Sequence, residues 1–111
     1  MKRLIALTIL MFLSLPVIAG DFMKGNALLG ECDNGASAHC YIYIQGVIDA
    51  HETLSDWSDD KAKYICLEIG VTPSQLALIT VKFMKDRPEK LHLTAASFVL
   101  LAVREAFPCT E

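Results

Sequence analysis

The sequence lacks the segments that join or repeat domains: it has no low-complexity stretch, no internal repeat and no long linker. Six glycines, four prolines and a single tryptophan are spread over 111 residues. A chain of this length has room for one small domain. We therefore expect a single folded unit.

Motifs for catalysis and metal binding are missing as well. His51 and Glu52 begin the zinc-protease pattern, but Ser55 stands where that pattern needs a second histidine. The sequence has no glycine-rich phosphate loop and no serine nucleophile elbow. His39 and the cysteines do not have the spacing of a zinc ribbon or finger. These absences favour a binding or structural protein over an enzyme, and we predict neither a metal nor another cofactor.

The first twenty residues have the pattern of a secretory signal peptide. Two basic residues precede an apolar run over residues 4–15, and Ala19 offers a small residue at the cleavage site. The run is too short to favour a transmembrane helix. We predict a signal peptide at residues 1–19 and one domain at residues 20–111.

Basic residues are scarce in the predicted domain. Cleavage after Ala19 removes two of them and leaves eight against thirteen acidic residues, a formal charge of −5. Such a balance argues against nucleic acid or an anionic membrane as a partner, and it suits a basic protein partner.

The first half of the domain carries two helical signals. Asn26 can cap a short helix, and apolar spacing favours a second helix from about Cys40 to Leu54. One broad apolar face of this second helix is shared by Tyr41, Ile44, Val47, Ile48 and Leu54. Gly46 lies inside this second helix, where glycine costs about 1 kcal/mol relative to alanine. We expect the close approach of another helix to be the reason for it.

The second half has clearer helix starts. Thr72 and Gln75 have the spacing of a capping box, with Pro73 at the first helical position. A fourth helix starts near Thr94 and ends before Pro108. The signals leave an irregular segment over residues 55–69. We predict an all-α domain of four helices.

The four cysteines predict two disulfides, because an even number in a small exported domain is typical of a disulfide framework. Three pairings are open. We favour Cys40–Cys66, because the segment after the second helix is long enough to return to the start of that helix. The remaining pair, Cys32–Cys109, would tie the end of the fourth helix to the first.

Two surface features are candidate contacts for a partner. The first is Trp57, which stands among three acids: Asp56, Asp59 and Asp60. It is either a lid folded onto the core or an exposed anchor for a basic cleft, since tryptophan is enriched among binding hot spots. The second is a tight polar turn with Arg87 and Glu89, whose alternative role is a solvated connector.

Six short motifs, taken in their order and spacing, carry a family resemblance. They are Asn26-Ala27-Leu28-Leu29 before Cys32, Cys40-Tyr41-Ile42 with Gln45-Gly46-Val47-Ile48-Asp49-Ala50, Ile65-Cys66, Gly70-Val71-Thr72-Pro73-Ser74-Gln75-Leu76, Arg87-Pro88-Glu89-Lys90-Leu91-His92 and Glu105-Ala106-Phe107-Pro108-Cys109. Together they resemble the Rap/Tai family of immunity proteins. That family protects bacteria against peptidoglycan amidase toxins delivered by type VI secretion.

The resemblance implies a periplasmic, disulfide-bonded, all-helical protein without catalysis, often a homodimer. It implies that a loop or helix end plugs the Cys–His active-site groove of the amidase toxin. A second interpretation stays open at this point: a periplasmic acid-stress or chaperone-like helical protein with no toxin partner. Such a protein would expose apolar surface at low pH and hold unfolded clients there.

Overall fold

Four α-helices and one 3₁₀ turn make up the regular structure of the residues that the computed structural model describes, which are 21–33, 37–58 and 63–109. The helices are α1 (Gly25–Asp33), α2 (Ala38–Trp57), α3 (Pro73–Lys85) and α4 (Ala95–Ala106), and the 3₁₀ turn is Pro88–Lys90. The all-α prediction of four helices is confirmed. The predicted signal peptide at residues 1–19 lies outside the described residues.

Side-chain caps fix the start of α3 as its sequence predicts. The Thr72 hydroxyl accepts a hydrogen bond from the Gln75 backbone N–H at 3.2 Å, and the Gln75 side chain accepts from the Thr72 N–H at 2.8 Å. Pro73 follows at the first helical position. This reciprocal pair satisfies two backbone donors that a helix start would otherwise leave without partners.

The start of α1 has a different cause from the predicted Asn26 cap. The backbone N–H groups of Gly25 and Asn26 donate to the carbonyls of Leu93 and Leu91, at 2.8 and 3.0 Å. A Cβ atom on Gly25 would lie 2.5 Å from the Phe98 ring, so this close approach of the chain requires glycine. Tertiary contacts, which a local pattern does not contain, therefore set this helix start.

The core is formed where the inner sides of all four helices meet. Its largest fully buried side chains include Leu28 of α1, Ile44 of α2, Met84 of α3 and Phe98 of α4. The Phe98 ring packs edge-on against Phe83, with centroids 6.2 Å apart. Full burial of one such side chain contributes about 1.5–3 kcal/mol, so these contacts account for the packing of the helices.

The disulfide pairing corrects our prediction. The bonds are Cys32–Cys40 and Cys66–Cys109, with Cα atoms 5.1 and 5.0 Å apart, and not Cys40–Cys66 and Cys32–Cys109. Cys32 lies in the last turn of α1 and Cys40 in the first turn of α2, so neighbouring helix ends bring them together. The Cys66 N–H donates to the Phe107 carbonyl at 3.1 Å, which holds Cys66 beside the C-terminal residues.

Helix α2 is longer than predicted at both ends, and it includes the start of the segment predicted to be irregular. Ser37 caps it, since the Ser37 hydroxyl accepts from the Cys40 N–H at 3.2 Å. At the other end, the Ser55 hydroxyl donates to the His51 carbonyl at 2.8 Å and so bonds within the helix instead of ending it. Trp57 is consequently the last residue of a helix, not part of a loop.

Candidate functional site

Helix α2 presents apolar residues on two sides. One side is buried in the core through Cys40, Ile44 and Ile48. The other, which we call the outer stripe, is exposed and consists of Ile42, Gly46, Ala50, Leu54 and Trp57. Its first four members follow one another at intervals of four residues, which places them along one line of the helix surface. The exposed fractions of Ile42, Leu54 and Trp57 are 65%, 62% and 77%.

The outer stripe borders a groove of about 640 Å³ between α2 and α4. Apolar and small residues dominate its lining, which consists of Ile42, Tyr43, Gly46, Val47, Ala50, His51, Leu54, Ser55, Ser58, Ala96 and Leu100. Burial raises the pKa of Tyr43 above its ordinary value of 10.0, and a hydrogen bond with the Ala96 backbone partly offsets that rise. The groove is a surface for apolar contact.

His51 is a largely buried polar group of this groove, next to the buried Ser55. Its side chain is 11% exposed, and within the described part of the chain neither ring nitrogen has a hydrogen-bond partner. The nearest acid is Glu52, with Oε1 3.6 Å from Nδ1, and the Tyr64 ring centroid lies 6.2 Å from that of His51. Among the described residues no cluster of His, Cys, Asp or Glu could hold a metal ion, and all four cysteines are in disulfides.

The charge along α2 is of one sign. The helix holds Asp49, Glu52 and Asp56, and it holds no lysine or arginine. Lys63 pairs with Glu52 at 3.2 Å. No ion pair among the described residues involves Asp49 or Asp56, and both are exposed. The outer stripe therefore has an acidic edge.

The structure locates the first predicted contact set at the end of the outer stripe. Trp57 does not cover the core as a lid, because more than three quarters of its surface is exposed. Asp56 is exposed beside it. Asp59 and Asp60 lie outside the described residues.

The second predicted contact set lies elsewhere and is partly engaged within the fold. The Arg87 guanidinium stacks on the Phe83 ring at 3.7 Å, donates to the Phe83 carbonyl at 3.3 Å and pairs with Glu105 at 3.5 Å. It thereby joins the end of α3 to α4. Glu89 is exposed in the 3₁₀ turn. Arg87 lines grooves that share no residue with the one beside Trp57, so the two predicted sets do not form one site.

Two sequence predictions about α2 were wrong, and both concern the outer stripe. Leu54 is not on the core face but is exposed. Apart from its two chain neighbours and the backbone of its own helix, no atom of the described chain lies within 4 Å of where a Gly46 Cβ would be. None of the described helices therefore approaches Gly46 closely. The four-residue spacing from Ile42 to Leu54 was the signal that could have identified the stripe.

These features define a class before they define a family. The described residues form a disulfide-bonded helical domain with an exposed apolar stripe and an acidic edge. An exposed apolar patch with a polar rim is typical of a surface that contacts another protein. No described helix is long and apolar enough to cross a membrane.

Comparison with protein families identifies the particular class of binding protein. The family model of the Rap1a immunity proteins matches residues 24–109, and the chain belongs to that family. This confirms the resemblance drawn from the six motifs. The protein is therefore of the type VI secretion immunity class, whose members bind toxins, are generally periplasmic and are generally not enzymes. Comparison with curated proteins and with solved structures gives no match.

Proposed function

We propose that this protein is exported by a signal peptide at residues 1–19 and protects the periplasm by blocking a type VI secretion peptidoglycan amidase. The mechanism is occlusion, in which the surface around Trp57 covers the Cys–His active-site groove of the toxin. In this mechanism the protein itself catalyses no reaction.

The observation that carries this proposal is the exposed tryptophan at the end of α2 in a chain of the immunity family. A large aromatic side chain gains most from burial at an interface, and acids such as Asp56 steer association with a basic cleft. Arg87 and Glu89 remain proposed secondary contacts. Of the two, Glu89 is the better placed, because Arg87 is already held by Phe83 and Glu105.

A rescue assay tests the function. An amidase directed to the periplasm, preferably the product of the neighbouring gene, is expressed with and without this protein, and cell lysis is followed. We expect protection by the full chain and loss of protection when residues 1–19 are deleted, because the deleted form stays in the cytoplasm. Absence of protection against several amidase classes, by protein shown to be folded and exported, would contradict the proposal.

The family resemblance also implies a homodimer, and we include a second copy among the proposed partners. Sedimentation of the purified protein at several concentrations measures this directly. A monomer that still protects cells would remove the second copy from the mechanism.

A further inference from the structure

The outer stripe has the shape of a notch. Gly46 and Ala50 lie one turn apart, and the larger Ile42 and Leu54 stand at either end of them. The position of Gly46 carries the cost of glycine in a helix interior, yet no helix of the described chain uses the space it opens. A glycine that lowers the stability of its helix, beside space that no described residue fills, points to a contact with another molecule.

We propose that this notch seats an amphipathic helix of a partner protein, with the partner's backbone close to Gly46 and lysine or arginine along one edge of that helix. The identity of the partner, the toxin, rests on the proposed function. The chemistry of the surface does not, because it follows from the residues of the notch.

The dimensions favour a helix as the occupant. Helices pack with axes about 8–10 Å apart, and the smallest separations need small residues at the crossing point. Gly46 and Ala50 supply these, while Val47 and Leu100 provide apolar contacts along the groove beside them. Ile42 and Leu54, both exposed, can flank the seated helix at its two ends.

The charge favours a basic partner over a second copy. Asp49 and Asp56 form the exposed edge of the stripe, and α2 contains no lysine or arginine that could pair with them. A symmetric contact through α2 would set the same acidic face against itself. Like charges held opposite each other at an interface disfavour association, whereas lysine or arginine at that edge would favour it.

The intrinsic fluorescence of Trp57 reports on this surface directly, because the chain has no other tryptophan. The probe is a synthetic leucine–alanine helix of about five turns with lysine along one edge, and its twin has glutamate in place of lysine. We expect a saturable blue shift when mature protein purified from the periplasm is titrated with the lysine peptide. The glutamate twin should bind at least about tenfold more weakly.

Two glycine variants provide the decisive pair. Gly46→Leu fills the notch, and Gly30→Leu makes the same change in α1. Both glycines are exposed and have open space at the Cβ position, so both variants should fold. We expect Gly46→Leu to weaken the binding of both the lysine peptide and the toxin at least about tenfold. Gly30→Leu should leave both affinities unchanged.

The outcomes separate this proposal from the proposed function. If Gly46→Leu binds the toxin as tightly as the unaltered protein, the notch proposal fails and the immunity function stands. If the peptide binds at the notch but no amidase does, the surface chemistry stands and the proposed function fails. If neither peptide binds and Gly46→Leu converts a dimer into a monomer, the notch is a self-association surface and the proposal is overturned.

Discussion

The two sides of α2 carry similar apolar residues, but one side is buried and the other is exposed. Ile44 and Ile48 on one side are buried, while Ile42 and Leu54 on the other are each more than 60% exposed. Apolar character therefore does not distinguish the core of this protein from its candidate contact surface. The difference is whether another part of the same chain covers the side chain. The inner side should determine stability and the outer side should determine binding.

The largest expected effect is on the inner side. Ile44→Ala removes a fully buried side chain and leaves a cavity, which should lower the free energy of unfolding by about 2–5 kcal/mol. Urea unfolding followed by circular dichroism measures the change, with Ile42→Ala as the control on the outer side. A similar loss in both variants would break the comparison, because exposed positions should change stability by less than about 0.5 kcal/mol.

Trp57→Ala should have the reverse signature. We expect toxin binding to weaken by about 2 kcal/mol or more, as truncation of a binding hot spot does. Stability should be nearly unchanged, because Trp57 is largely exposed. Titration calorimetry measures the affinity, and Leu78→Ala is the matched control, since Leu78 is an exposed apolar residue of α3. Equal affinity in a folded Trp57→Ala protein would remove this residue from the site.

Gly46→Ala should change stability and binding in opposite directions. Alanine has the higher helix propensity and its Cβ meets open space here, so the free energy of unfolding should rise by about 1 kcal/mol. The added methyl group lies in the notch, so toxin binding should weaken, though less than in Gly46→Leu. Thermal unfolding measures the expected gain in stability, and titration calorimetry on the same preparation measures the expected loss of affinity. A variant that is more stable and binds equally well would show that the glycine serves no contact.

The features that the sequence predicted correctly depend on short spacings. The capping box of Thr72 and Gln75 is one case, because both hydrogen bonds join residues three apart. The four-helix fold follows from apolar spacing in the same way. The start of α1 is the opposite case, because its donors are satisfied by carbonyls of residues 91 and 93.

The features that were predicted wrongly depend on what lies across space. Cys32 and Cys40 pair because two helix ends meet. The spacing of the cysteines along the chain does not predict this meeting. Leu54 and Gly46 were misassigned for a related reason, since periodicity identifies the sides of a helix but not which side the rest of the chain covers. Trp57 and Asp56, which the sequence marked as contacts, lie at the end of the outer stripe, and their contact with a partner stays a prediction. The groove beside them could be seen only in the tertiary structure.

The smallest effect belongs to Tyr43, at the border between the two sides of α2. Burial raises the pKa of its hydroxyl above 10.0, so the folded state favours the neutral form. The unfolded chain ionises first, and stability should therefore be unaffected at neutral pH and fall as the pH rises above 10.0. Tyr43→Phe should reduce this alkaline loss, measured as the difference between the two proteins in urea midpoint against pH. Identical profiles would mean that burial between α2 and α4 does not raise the pKa of the Tyr43 hydroxyl.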